Sequence, residues 1–170
     1  AHVLGRAAEG ATFLLNSPWP ADQVWDHLPF EVQREIIDKH LDLWVVDAAR
    51  VARDAGMGHR INTVMQPCFF ALSGVLPRDQ AIAAIKRWIE KAFSRRGEEV
   101  VARNFAAVDG ALDGLRQVAV PAQATATRRR RPTVSEQAPD FVKRVTARML
   151  EGNGDLLPVS ALPVDGAFPT

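Results

Sequence analysis

A single cysteine, Cys68, stands in a chain of 170 residues, so no internal disulfide can form. Nothing near Ala1 reads as a basic segment followed by an apolar stretch and a cleavage site. Together these absences fit a reducing compartment, and a cytoplasmic location is the expectation. Net charge is nearly absent as well: 21 Lys and Arg offset 20 Asp and Glu, leaving +1. No chain-wide field therefore draws the protein to nucleic acid or to an anionic membrane. No uninterrupted apolar run approaches the roughly 20 residues that cross a bilayer. His2, His27, His40 and His59 are scattered, with no spacing that puts two on one helix face, which argues against a zinc site.

What is present is a core-forming sequence, 47% hydrophobic. Ala1 to Gly10 reads as the last turns of a helix stopped by glycine, and the final "LPVSALPVDGAFPT" reads as loop. Both ends look cut, and a fragment of something longer is the expectation. "TFLLN" (Thr12 to Asn16) predicts a strand entering the turn "SPWP". Val24, Trp25 and Leu28, then Val32, Ile36 and Ile37, sit at helical spacing on either side of Pro29, predicting two short helices. "LDLWVVDA" (Leu41 to Ala48) is apolar enough to be buried on both faces, as in a parallel sheet, and the intervening helices supply the crossover.

The second half is helical. Ile61, Val64, Met65, Cys68, Phe69, Leu72 and Val75 form one stripe, interrupted by Pro67 and expected to be core through Leu76. Ile82, Ile85, Ile89 and Phe93 mark another helix, and Val101, Phe105, Val108, Leu112 and Leu115 a third. Gly110 and Gly114 each weaken that third helix by about 1 kcal/mol relative to Ala, which close packing would explain. Val118 to Pro139 has the composition of a linker, and Phe141, Val142, Val145, Met149 and Leu150 then share a face of a last helix ended by Gly152 and Gly154. The fold class expected is α/β: part of a parallel, Rossmann-like sheet layer, followed by a helical half and a linker.

Several candidate sites each carry a plain structural alternative. Cys68 is a nucleophile only if a cation or helix start lowers its pKa, and its place in the stripe argues for an inert buried thiol. In "AGMGHRIN" two glycines and Arg60 precede a helix start, where free amides would suit a phosphate. Alternatively Gly56 ends the helix of residues 48–55 and Gly58 lets the backbone turn. Asp47, and Asn16 with Ser17, lie after the two strands, where open sheets place ligands, but capping suits them equally. The run Arg128 to Arg131 fits a solvated linker or an acidic partner, and lacks the interleaved aromatics of a base-stacking surface.

The blocks "FLLNSPW", "EVQREIIDKHLDLWVVDAARVARDAGMGHRINTVMQPCFFALSGVLPRDQAI", "KAFSRRGEEVVARNFAAVDGAL" and "GDLLPVSALPVDGAFPT" resemble, in order, pyruvate:ferredoxin (flavodoxin) oxidoreductase. The likeness nearly covers the chain and fails mainly across Gln123 to Ala138. It implies that residues 1–118 are the C-terminal part of a gamma-type domain, 119–138 a linker, and 139–170 a helix and loop leading into a segment with a Glu-Lys-Arg motif. It implies a parent enzyme that decarboxylates pyruvate on thiamine diphosphate with Mg2+, passes electrons through iron–sulfur clusters of the 4Fe-4S kind to ferredoxin or flavodoxin, and gives the acetyl group to coenzyme A.

The same resemblance implies a homodimer and places no catalytic or metal-ligating residue in this piece, which would bind none of those cofactors alone. Its expected share is structural, on the coenzyme A side of the active site and against the remaining domains. Gly58, Arg60 and Asn62 are the residues expected nearest to ligand or partner domain. Two rival readings remain: a stand-alone nucleotide-binding module using the strand ends, and an interaction protein using Arg128 to Arg131.

Overall fold

The computed structural model describes residues 3–167; Ala1, His2 and the final Phe168, Pro169 and Thr170 lie outside the described residues, and with them the outermost parts of the two end readings. Strand β1 (Thr12–Asn16) leads through two short helices, α1 (Val24–His27) and α2 (Phe30–Asp38), into β2 (Asp42–Val46). The two strands pair in parallel, Thr12 opposite Asp42 through Asn16 opposite Val46. A third strand, β3 (Arg116–Gln117), runs antiparallel on the far side of β2 and makes the sheet mixed. The expected α/β fold with its parallel strand pair is present, and to it is added this two-residue edge strand of polar side chains, which periodicity does not reveal.

Alternation along β2 sorts the core into two halves, because successive side chains point to opposite faces. Leu43 and Val45 pack with Val24, Trp25, Leu28 and Ile36 from α1 and α2. Val46, with Trp44 partly buried beside it, packs with Val51, Val64, Cys68, Ala107 and Ala111. Those residues come from α3 (Ala48–Asp54), α4 (Asn62–Ser73) and α6 (Glu98–Gly114). Helices therefore cover both faces, the arrangement a crossover-linked parallel pair requires. A satellite cluster of Ile85, Ile89 and Val108 joins α5 (Arg78–Phe93) to α6.

The two glycines of α6 are explained by contact. A Cβ at Gly110 would lie 3.2 Å from Val51 Cγ1, and one at Gly114 would lie 3.6 Å from Val51 Cγ2. The small side chains let α6 approach α3 closely, so their helix cost is offset by packing. Helix α4 continues through buried Pro67, but its stripe is only partly core. Val64, Pro67 and Cys68 are buried, whereas Phe69, Val75 and Leu76 are exposed at 55%, 69% and 43%. The stripe outruns the surface available to cover it.

At the N-terminal end a 3-10 turn at Leu4–Arg6 precedes a loop in which Gly10 adopts φ 70°. Near the other end, Val142–Thr146 forms a π-helical turn that passes into α7 (Ala147–Leu150). Val145 and Ala147 are buried there, while Met149 and Leu150 are exposed at 48% and 54%, so the expected single apolar face is corrected.

The segment after β3 is irregular, as its composition implies, yet it is strapped along α2. Gln33, fully buried, accepts the backbone N–H groups of Thr125 and Ala126 at 2.8 and 2.9 Å and donates to the Trp25 carbonyl at 2.7 Å. The Phe30 N–H donates to the Arg128 carbonyl at 2.9 Å.

Candidate functional site

The carboxyl ends of β1 and β2 are where an open sheet offers space for a ligand. Much of their polarity is spent on closing α3. Asp47 accepts the Arg50 N–H at 2.8 Å, an N-cap, and Asn16 Oδ1 accepts the Ala48 N–H at 3.0 Å from across the sheet. Ser17 accepts the Trp19 N–H at 3.1 Å. The capping alternative thus agrees with the geometry for Asp47 and Asn16, whereas Ser17 closes a local turn ahead of α1.

A hollow remains beside them. About 380 Å³ of space is bounded by Trp19, Pro20, Asp47, Arg50, Asp113 and Arg116. It continues into a groove of about 330 Å³ between α3 and α6, sharing Arg50, Asp113 and Gly114 and reaching Ala55. Arg50 is held between Asp47 at 3.6 Å and Asp54 at 3.7 Å, so one wall alternates charge. Trp19 stacks on His27 with ring centroids 3.6 Å apart and planes inclined by 7°. Sequence reasoning missed Arg50, Asp113, Arg116 and Trp19 as a group. The one local signal was the pair Gly110 and Gly114, which mark the close contact of α3 with α6 and line the groove beside it.

Beyond Ala55, the last residue of α3's side to line the groove, the chain enters the glycine turn. Gly56, at φ 70°, donates its N–H to the Arg53 carbonyl at 2.9 Å, and Met57 donates to the Ala52 carbonyl at 2.7 Å. This pair closes α3 with a left-handed cap. A Cβ on Gly56 would sit 3.3 Å from Arg103 of α6. Gly58 also has positive φ, 61°, with open space where a Cβ would be. Arg60 and Asn62 are exposed, and α4 starts at Asn62 with no side-chain cap. Gly58, Arg60 and Asn62 thus share one turn, set apart from the sheet end by seven-residue α3, about 10 Å long at 1.5 Å per residue.

Cys68 lies elsewhere. It is fully buried and donates to the Ala111 carbonyl at 3.6 Å, and burial pushes its pKa up to about 11. Its thiol is a packing group, as its place in the stripe implied. Among the described residues no three His, Cys, Asp or Glu side chains gather as metal ligands. Nor is any helix of the described residues long and apolar enough to cross a membrane.

The arginine run is only partly solvated. Arg128 donates to the His27 carbonyl. Arg129 pairs with Glu31 at 3.2 Å and lies 4.2 Å from the Phe30 ring centroid. The Arg130 N–H donates to Glu31 at 2.9 Å. That backbone hydrogen bond, reinforced by Arg129, holds the Glu31 carboxyl below its ordinary value. Two of the four guanidinium groups offered to an outside partner are thus already engaged within the chain.

Comparison with known proteins gives this geometry a setting. A family profile described as pyruvate ferredoxin/flavodoxin oxidoreductase matches residues 1–114, and a second, for a domain of unknown function, matches residues 127–170. The chain is 57% identical, over 99% of its length, to a pyruvate-flavodoxin oxidoreductase of Rhodospirillum rubrum. It is 40% identical over 94% of its length to a pyruvate:ferredoxin oxidoreductase of Moorella thermoacetica. It is 36% identical over 98% of its length to a mitochondrial pyruvate dehydrogenase [NADP(+)] of Euglena gracilis. It spans 14% of the first two proteins and 9% of the third.

Proposed function

Because this chain belongs to the pyruvate ferredoxin/flavodoxin oxidoreductase family, we propose that it serves as a structural domain of a larger enzyme that oxidatively decarboxylates pyruvate to acetyl-CoA and carbon dioxide. The observation that carries this reading is the 57% identity sustained over 99% of the chain. The electrons released pass, in this proposal, to flavodoxin or ferredoxin. The parent enzyme is proposed to be a cytoplasmic homodimer.

Thiamine diphosphate, Mg2+ and iron–sulfur clusters belong to the rest of that enzyme in this proposal. The described residues offer no iron–sulfur ligand set: Cys68 is the chain's one cysteine and is buried against the Ala111 carbonyl, and no three His, Cys, Asp or Glu side chains gather among them. No chemical step is therefore assigned to these residues. We propose that residues 1–118 complete the gamma-type domain, that 119–138 connect it to the next segment, and that 139–170 lead into the Glu-Lys-Arg segment.

Within the first of these, the Gly58, Arg60 and Asn62 turn is proposed to face coenzyme A or an adjoining domain. Three features support it: the exposed guanidinium of Arg60, the open space at Gly58 and the uncapped start of α4. The test uses the full-length enzyme: pyruvate-dependent reduction of a one-electron dye establishes the activity. Arg60→Ala should raise the KM for coenzyme A several-fold while the melting temperature stays within a degree or two. An unchanged KM removes the site from the proposal.

A further inference from the structure

Between α4 and α5 a largely apolar groove of about 200 Å³ lies open, lined by Phe70, Leu76, Ala81, Ala84, Ile85 and Trp88 with Gln66 as its one polar residue. Trp88 is 60% exposed and Leu76 43%. Phe69, edge-on to Phe70 at 5.3 Å, and Val75, next to Leu76 in the chain, are exposed at 55% and 69%. Singly exposed apolar residues are ordinary, but a contiguous patch of large ones marks a surface that is covered.

The charges around it are one-sided. At 3.6 residues per turn, Lys91 and Arg87 fall about 60° and 100° from Trp88 on one side of α5 and Arg78 about 80° on the other, whereas Asp79 and Glu90 fall about 160–180° away, on the opposite side of the helix. Lys86, also on that opposite side, is engaged with Asp109 of α6 at 2.7 Å. Arg78, Arg87, Lys91 and Arg95 make no ion pair among the described residues. Two copies of this chain meeting through the groove would bring like charges together, which disfavours self-association.

We infer that the groove is the docking surface for another domain of the parent polypeptide, which seats an apolar side chain against Trp88 and Phe70 and rings it with Asp or Glu. The length of chain outside these residues supplies such an occupant, since this chain spans 14% of its relatives. The inference rests on the reading of the chain as part of a longer enzyme.

The experiment uses the full-length enzyme, first shown to reduce a one-electron dye with pyruvate so that a failure of that reading is seen separately. Hydroxyl-radical footprinting then reads Trp88. Oxidation at least tenfold slower than in the urea-unfolded enzyme is the expected result; oxidation within twofold of the unfolded rate overturns the inference. A zero-length carbodiimide cross-link, mapped by mass spectrometry, should join Lys91 to an Asp or Glu of the same polypeptide outside residues 1–170. A link only to a second copy, or only to added flavodoxin, overturns it. The doubly reversed variant Arg87→Glu with Lys91→Glu should raise Trp88 oxidation at least threefold, and an unchanged rate counts against the carboxylate ring.

Discussion

Helices α2 and α5 are built alike, each amphipathic and each beside a run of basic residues, and they end in opposite conditions. Helix α2 is covered twice, by the sheet on its Ile36 side and by the strap at Gln33, Glu31 and Phe30. Helix α5 is covered once, by α6 through Ile85 and Ile89, and its Trp88 side faces water. Amphipathicity fixes which side of a helix is buried first. Whether the other side is covered depends on a distant piece of chain.

The largest way to sharpen this contrast is a pair of truncations. Ile36→Ala, at a fully buried position, should cost about 2–5 kcal/mol. Trp88→Ala in the 170-residue chain alone, without the covering domain, should cost under about 1 kcal/mol because its ring is mostly solvated there. Urea unfolding with equal m-values checks both, and equal losses would break the comparison. An intermediate effect comes from Gln33→Leu, which removes the partner of three backbone groups and should cost about 1–3 kcal/mol. Trypsin reports it independently, since a loosened strap should be cut at Arg128 to Arg131 several-fold faster.

Acid provides the smallest effect. The Glu31 carboxyl is held below its ordinary 4.5, so its contribution is present above that pH and lost as pH falls through the lowered folded value. Exchange of the Arg130 amide proton, followed against pH, should show the strap loosening only below about 4.5. A Glu31→Gln variant should flatten that dependence.

Strands β1 and β2, the helices between them and the glycine contacts of α6 were legible because hydrophobic period and residue size report them directly. The roles of Asp47 and Cys68 were legible for the same local reasons. The strap was not. Its ties run through backbone amides of Thr125 and Ala126 to a glutamine that reads, in "EVQREIIDKH", as one more surface polar residue. The exposure of Phe69 and Val75 was hidden for the complementary reason: an apolar stripe records that something covers it without recording what. The Arg50, Asp113 and Arg116 hollow is lined jointly by α3, the end of α6 and β3, a juxtaposition no single stretch encodes.

The hydrogen bond from Thr125 to Gln33 spans 92 residues, so at about 5–20 residues per second a ribosome needs roughly 5–18 s between making the two halves of that tie. For that interval the Gln33 amide oxygen of a newly made α2 is held by water instead of by the strap, and the surface destined for the strap is open to chaperones. Maturation of this region should therefore be a late event in synthesis, timed by elongation rather than by local helix formation.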